Sequence, residues 1–371
     1  MKLLFPCAFA VIASAQPLIL SNNFASKPFA GIGGISGGGA TSRSLFDYPE
    51  TARSTLMNLL FSSQYGASFG HAKVEIPANA DTTCGSEVAH RHDADDGGSC
   101  DRGYEGWFLQ QATQRGVEIT SSLQWAAPLF VGEEGVNGGK SLFTLTNIDQ
   151  FVIPWLKCMK SAYNISLKFQ GAGWNEHPHN NSYIKLMRSQ LDSAGLSDIG
   201  LAASDECCGS NWNIAIDMAS DPQLAAAVDV ITTHVAGSLE ENTPTPIEAL
   251  TSGKPLSQGE EHIGMPDPDG VPIWEWAAAA SVGIEINQNW VVNSMTSTVF
   301  RKDLKRKIIC QQDISSRPLS EFYYIYIILC LKFTISEDND ELSKQSLTLA
   351  KEVMKFNIYI TQRVDFQYGS Q

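Results

Sequence analysis

Leu167-Lys168-Phe169-Gln170-Gly171-Ala172-Gly173-Trp174-Asn175-Glu176 is the stretch on which the fold turns. A short, mostly apolar run with two close glycines gives way to an aromatic, an amide and a carboxylate, as a buried strand does where it enters a loop. On either side, 148–163 and 182–194 carry helical spacing. A strand between two helices is the unit of a parallel sheet or barrel, because parallel neighbours need a crossover.

The alternation continues outward. Strand-like runs are expected over 30–36, 73–76, 119–125, 166–173, 199–204, 228–233 and 255–259, with further helices over 49–61, 105–114 and 274–287. Gly31-Ile32-Gly33-Gly34-Ile35-Ser36-Gly37-Gly38-Gly39 has no Gly-Lys-Ser/Thr ending and no acidic residue at the distance a dinucleotide loop requires, so it reads as close backbone packing at a strand end. Seven strands without a phosphate loop favour a (β/α)8 TIM barrel over a Rossmann fold. No eighth strand is recognisable, so the barrel is expected to be truncated after the seventh.

Composition sets the outer limits. The chain has 371 residues, 43% of them hydrophobic and 18% charged, which excludes global disorder. Its 26 basic and 40 acidic side chains give a net charge of −14, which argues against nucleic acid as a partner and suits an acidic compartment. The charge is uneven. Residues 1–300 carry 15 basic and 31 acidic side chains, whereas 301–371 carry 11 and 9, with one of the 30 glycines and none of the 8 tryptophans. A break of this size sets 301–371 apart as an unassigned, non-homologous tail, unless it supplies a substitute eighth strand. The barrel is expected over 28–300.

Met1-Lys2, an apolar run over 3–13 and Ala13-Ser14-Ala15 have the layout of a secretory signal peptide spanning 1–15. The apolar run is far short of the roughly 20 residues of a membrane-spanning helix, and no transmembrane segment is expected. An oxidising route makes Cys84 and Cys100 the best local disulfide candidates, with Cys158, Cys207 and Cys208 left as buried thiols or partners in longer bridges. Asn164-Ile165-Ser166 and Asn180-Asn181-Ser182 are glycosylation sequons.

In a barrel, chemistry sits where strands end. Glu176 follows the fourth strand, and Glu260 and Glu261 follow Pro255-Leu256-Ser257-Gln258-Gly259 of the seventh. A retaining glycosidase needs two such carboxyls about 5–5.5 Å apart, one to protonate the leaving oxygen and one to attack the anomeric carbon. His90-Arg91-His92-Asp93-Ala94-Asp95-Asp96 holds metal-ligating types without diagnostic spacing and reads as a polar loop, so neither metal nor cofactor is expected. His234, ending the sixth strand, either lines the pocket or is a satisfied barrel histidine.

An ordered set of motifs then carries a resemblance. The glycine-rich opening through Ala40-Thr41-Ser42-Arg43, Lys73-Val74-Glu75-Ile76, Thr82-Thr83, His90-Arg91-His92, Arg102-Gly103-Tyr104-Glu105, Trp174-Asn175-Glu176, Ala203-Ser204-Asp205, Val228-Asp229-Val230-Ile231 and Asn293-Ser294-Met295-Thr296-Ser297-Thr298 resembles the galactocerebrosidase family of retaining glycoside hydrolases over about 28–300. The resemblance implies a (β/α)8 barrel, lysosomal or secreted, that hydrolyses galactosylceramide to galactose and ceramide. It implies Glu176 as acid/base and Glu260 as nucleophile, with Thr83, Trp125 and Asn175 contacting galactose. Glu261 stands where the family commonly has Asp, and Ile263 where it usually has a Ser near the sugar. A glycosphingolipid is the implied substrate, and a lipid-presenting activator protein is a further partner the resemblance admits. Two alternatives stand beside it: a related retaining glycosidase acting on a soluble β-glycoside, and an inactive, truncated sugar-binding product.

Overall fold

The computed structural model describes residues 29–36, 46, 48–64, 66–78, 88–124, 128, 130–131, 143–172, 179–206, 211–234, 243–261 and 282–300. Eight parallel strands close into a barrel in sequence order. They are β1 (Gly31–Ser36), β2 (His71–Glu75), β3 (Ile119–Leu123), β4 (Phe169–Gly171), β5 (Gly200–Glu206), β6 (Val230–His234), β7 (Leu256–Glu261) and β8 (Ser297–Phe300). The barrel is therefore complete, against the expected truncation after the seventh strand. β8 is four residues long, too short to register as a periodic run. Its stability comes from pairing on both sides, Gly31↔Ser297 to Gly34↔Phe300 with β1 and Ser257↔Ser297 with β7, and all four residues are buried.

The helices among the described residues are α1 (Glu50–Phe61), α2 (Glu105–Thr113), α3, which runs from Leu145–Asn147 through a π-helical turn (Ile148–Val152) into Ile153–Tyr163, α4 (Asn181–Ser193), α5 (Asn213–Ser220), α6 (Pro222–Ala227), α7 (Ile247–Thr251) and α8, which covers 282–287 and runs into a π-helical turn (Gln288–Val292). Local chemistry sets their ends. The Asn180 side chain accepts the Tyr183 amide at the start of α4, and Asp221 caps α6 ahead of Pro222. Asn164 ends α3 in the left-handed conformation, φ 57°. α5, α6 and α7, unforeseen from periodicity, are short, at eight, six and five residues.

α4 turns Tyr183, Ile184, Met187 and Leu191 inward, and α3 turns Trp155, Leu156 and Met159 inward, all of them buried. Burial of each large apolar side chain contributes about 1.5–3 kcal/mol, so this layer between helices and barrel fixes the scaffold. A disulfide links Cys100 to Cys158, with Cα atoms 5.1 Å apart. The expected local pairing of Cys84 with Cys100 gives way to this longer bridge because the end of α3 packs beside the 99–106 segment. There Tyr163 Oη donates to the Cys100 carbonyl at 3.1 Å, and the Tyr163 ring lies where a Cβ on Gly106 would stand. Among the described residues, no helix is long and apolar enough to cross a membrane. The signal segment 1–15, Cys84 and the tail 301–371 lie outside the described residues.

Candidate active site

Two irregular strands shape the inside of the barrel. In β7 the partners of Thr233 and His234 on β6 are Gln258 and Glu260, so β7 carries one extra residue, Gly259. In β5 the partners of Thr232 and Thr233 are Ser204 and Glu206, so Asp205 is the extra residue there. A bulge of this kind shifts the alternation of side chains by one. The effect in β7 is visible directly: Gln258 Nε2 donates to Glu261 Oε2 at 2.6 Å, although residues three apart on an unbroken strand face opposite sides. Glu260 takes the inward position instead and approaches His234, whose Nε2 lies 3.7 Å from Glu260 Oε2.

The same shift separates Asp205 from Glu206. Asp205, at φ 58°, sits in the left-handed region that Asp tolerates better than most residues. Its carboxylate accepts Lys73 Nζ at 2.6 Å and lies 3.6 Å from His234 Nε2. Lys73 Nζ also donates to the Gly259 carbonyl at 3.0 Å. Lys73, Asp205, His234 and Glu260 are all buried. Burial alone would favour the neutral acid of Asp205, but the charges of Lys73 and His234 and the hydrogen bond from Lys73 outweigh it and hold the carboxyl below the usual carboxylate range. Gly259 has no room for a side chain: a Cβ there would stand 1.9 Å from Asp205 Oδ1.

One layer deeper, His71 Nε2 is 2.6 Å from Ser121 Oγ and its Nδ1 3.4 Å from Ser297 Oγ. Burial, with the nearby Lys73 charge, pushes the imidazole down to about 3 against the opposing pull of Asp205, so it is neutral. A cavity of about 580 Å³ opens below, lined by His71, Ser121, Ser257 and Ser297 and reaching up to Lys73 and Asp205. It occupies the N-terminal half of the barrel, on the far side of the Lys73–Asp205 pair from the strand ends, and is distinct from the mouth where Glu260 lies.

Outside the barrel wall, Glu206 accepts from the His179 backbone amide at 2.5 Å and meets His179 Nδ1 at 3.0 Å. The other ring nitrogen meets Asp217 Oδ2, on α5, at 2.9 Å, and Asn181 Nδ2 donates to the same oxygen at 2.7 Å. Burial lowers the His179 pKa, but the two carboxylates prevail and raise it above the ordinary value. His179 thus fastens the chain that leaves the loop after β4 to the end of β5 and to α5.

Of the expected site residues, Glu260 is brought to the inner face of a strand end. Thr83, Trp125, Asn175 and Glu176 lie outside the described residues, as does Ile263. His234 lines the site between Asp205 and Glu260. Sequence reasoning missed Lys73 and Asp205, although a Lys inside a strand-like run was a signal, since a lysine in a barrel wall needs a buried partner. The 90–96 segment is a structured polar loop. Asp93 accepts the amides of Asp95 and Asp96, Asp96 accepts those of His92 and Gly98 and pairs with Arg102, and His90 stacks on Phe151. Among the described residues, no group of three or more His, Cys, Asp or Glu side chains is placed to hold a metal ion.

Residues 29–308 match the model of glycosyl hydrolase family 59. A galactocerebrosidase from Danio rerio is 37% identical over 300 residues, covering 80% of this chain and 42% of that protein. One from Salmo salar is 38% identical over 275 residues, covering 74% of this chain and 38% of that protein. The chain thus spans about two fifths of the length of these curated relatives. The catalytic domain of GH30 xylanase C from Talaromyces cellulolyticus superposes with a TM-score of 0.52 at 18% identity, over 74% of this chain and 68% of that one, a likeness of fold.

Proposed function

The chain belongs to glycosyl hydrolase family 59, and from that premise we propose that it is a retaining β-galactosidase that hydrolyses galactosylceramide to galactose and ceramide. The observation that carries the reading is Glu260: a buried carboxylate turned inward at the end of β7, beside His234. Its sequence counterpart is Glu176, at the end of the run that holds β4, three strands away. The galactocerebrosidase names of the relatives support the glycolipid substrate.

In this reading Glu260 attacks the anomeric carbon and displaces ceramide, whose departing oxygen takes a proton from Glu176. A covalent galactosyl-enzyme results. Glu176, now a carboxylate, takes a proton from water, which attacks the anomeric carbon, frees galactose and regenerates Glu260. Thr83, Trp125 and Asn175 contact the sugar, and Asn175 donates to its 2-hydroxyl. The chain reaches its substrate by the secretory route to the lysosome, led by 1–15, with a lipid-presenting activator protein as an accessory partner. An N-terminus at Gln16 in the secreted protein is the expected check on that route.

Release assays on galactosylceramide, glucosylceramide and nitrophenyl glycosides test the activity. Galactosylceramide and nitrophenyl β-galactoside are the expected substrates, and equal turnover of glucosylceramide would sink the specificity. Glu260→Gln is expected to abolish all turnover. Glu176→Ala is expected to spare covalent labelling by an activated galactoside while abolishing glycolipid cleavage, and equal loss of both would overturn its role.

A further inference from the structure

We propose that Lys73 is a positioning residue for Glu260: its ammonium joins the bulge of β5 to the bulge of β7 and so holds the nucleophile facing the lumen. The inference rests on the reading of Glu260 as nucleophile. Three observations carry it. Lys73 Nζ donates to both bulge residues, to the Asp205 carboxylate at 2.6 Å and to the Gly259 carbonyl at 3.0 Å. The β7 bulge is what brings Glu260 inward, because Ser257 lines the lumen and strict alternation from it would turn Glu260 outward with Gln258. Finally, Asp205 Oδ1 occupies the space of the missing Gly259 side chain, so the two bulges interlock and Lys73 closes the contact.

Strands that wander by one residue exchange the faces of all the side chains beyond the slip. A carbonyl pinned by a buried ammonium cannot rotate without losing that bond and leaving the charge unsatisfied. The Gly259 carbonyl belongs to the residue immediately before Glu260, so the pin acts one peptide away from the attacking carboxylate. The arrangement also sets charge. Lys73 and Asp205 place opposite charges beside the residue that precedes Glu260.

His234 on β6 is the titratable group against Glu260; the others on the flanking elements are Glu75, two residues beyond Lys73 on β2 and so on the same face of that strand, Glu261 on the opposite face of β7 and, in the proposed reading, Glu176 after β4. β8 supplies none. Removal of one member of the pair should therefore move the ionisation of Glu260 in a direction set by the member that remains.

The experiment is the rate of covalent labelling of Glu260 by a 2-fluorinated β-galactosyl fluoride, followed against pH in the full chain. The variants are Lys73→Met, Asp205→Asn and the double variant, and peptide mapping identifies the labelled residue. Asn suits the left-handed backbone at 205. With Lys73→Met the acid limb is expected to rise by roughly half a pH unit or more, because Asp205 then repels the Glu260 carboxylate. With Asp205→Asn it falls. The double variant returns the limb towards that of the parent yet labels at least about tenfold more slowly at its optimum, with the inactivator's binding constant unchanged, because the Gly259 carbonyl is no longer held.

If Lys73→Met does not fold, Asp205→Asn and the double variant, which leaves neither charge of the pair without its partner, carry the test. Limbs that move together or not at all, or a double variant that labels as fast as the parent, would overturn the positioning role while Glu260 stands as nucleophile. A parent protein that labels at some other residue, or at none, would remove the reading of Glu260 and this inference with it.

Discussion

Asp205 and Glu206 are neighbours on one strand, yet they anchor two networks of opposite character. Asp205 faces the lumen and is bound by Lys73 in a wholly buried pair, side chains 3% and 4% exposed. Glu206 faces the helical layer and is bound by His179, which reaches on to an Asp217 that is 44% exposed. The inner network uses an alkylammonium that is shut off from water and bonded to the Asp205 carboxylate and the Gly259 carbonyl. The outer one uses an imidazole, which keeps its charge only while the surrounding carboxylates hold the proton on. One strand thus supports a buried brace under the candidate nucleophile and a pH-dependent clasp on the segment that follows the candidate acid/base. The difference comes from burial and partner type, with the backbone bulge at Asp205 assigning each carboxylate to its side.

The largest effect is expected at Lys73. Lys73→Met leaves the Asp205 carboxylate buried without its cation and is expected to cost about 3–5 kcal/mol in urea unfolding. Adding Asp205→Asn should recover most of that loss, and a single variant as stable as the parent would show that the pair braces nothing. Next is Gly259→Ala, whose Cβ must displace the Asp205 carboxylate. The expected loss is about 3 kcal/mol, the upper end of ordinary overpacking.

His71 lies on the inner side as well, hydrogen-bonded to Ser121. Its pKa is driven down to about 3 by burial, so the unfolded chain takes up a proton below its own value near 6.5 while the folded one does not. Stability therefore falls as pH drops from about 6.5 towards 3, by about 2 kcal/mol at pH 5. His71→Asn is expected to flatten that limb of a thermal-unfolding series.

His179 has the opposite sign. Its folded pKa is raised, so its contribution is fully present below about 6.5 and is lost as pH rises through the folded value. His179→Gln should cost about 1–2 kcal/mol at pH 5 and less at pH 8. Asp217→Asn should cost under about 1 kcal/mol because that carboxylate is half in water. A His179→Gln deficit that grew with pH would reverse the distinction between the two networks.

Much of this was legible beforehand. Seven of the eight strands, 31–36, 119–123 and 230–234 among them, were legible as short runs rich in β-branched residues or glycine and bounded by polar residues. Glu260 was legible as a strand-end carboxylate, and the family through the ordered motifs from 31 to 298. β8 was not, since a four-residue segment has no periodicity and depends on two neighbours for its pairing. The partner of Cys100 was not, since Cys158 is brought to it by the packing of α3 at a separation of 58 residues. Lys73 was read as part of a strand, and nothing local said that its charge is met at 205 and 259.

What the order of residues settled was the rhythm: strands, helices, and carboxylates placed at strand ends, because each of these follows from neighbours a few positions apart. What tertiary structure alone decided was which face each carboxylate takes. Glu260 and Glu261 are equivalent on paper, as are Asp205 and Glu206. An extra residue in each strand turns Glu260 in and Glu206 out, and those bulges are stabilised by a lysine 132 and 186 residues away along the chain. Contacts of that range form only once the barrel closes.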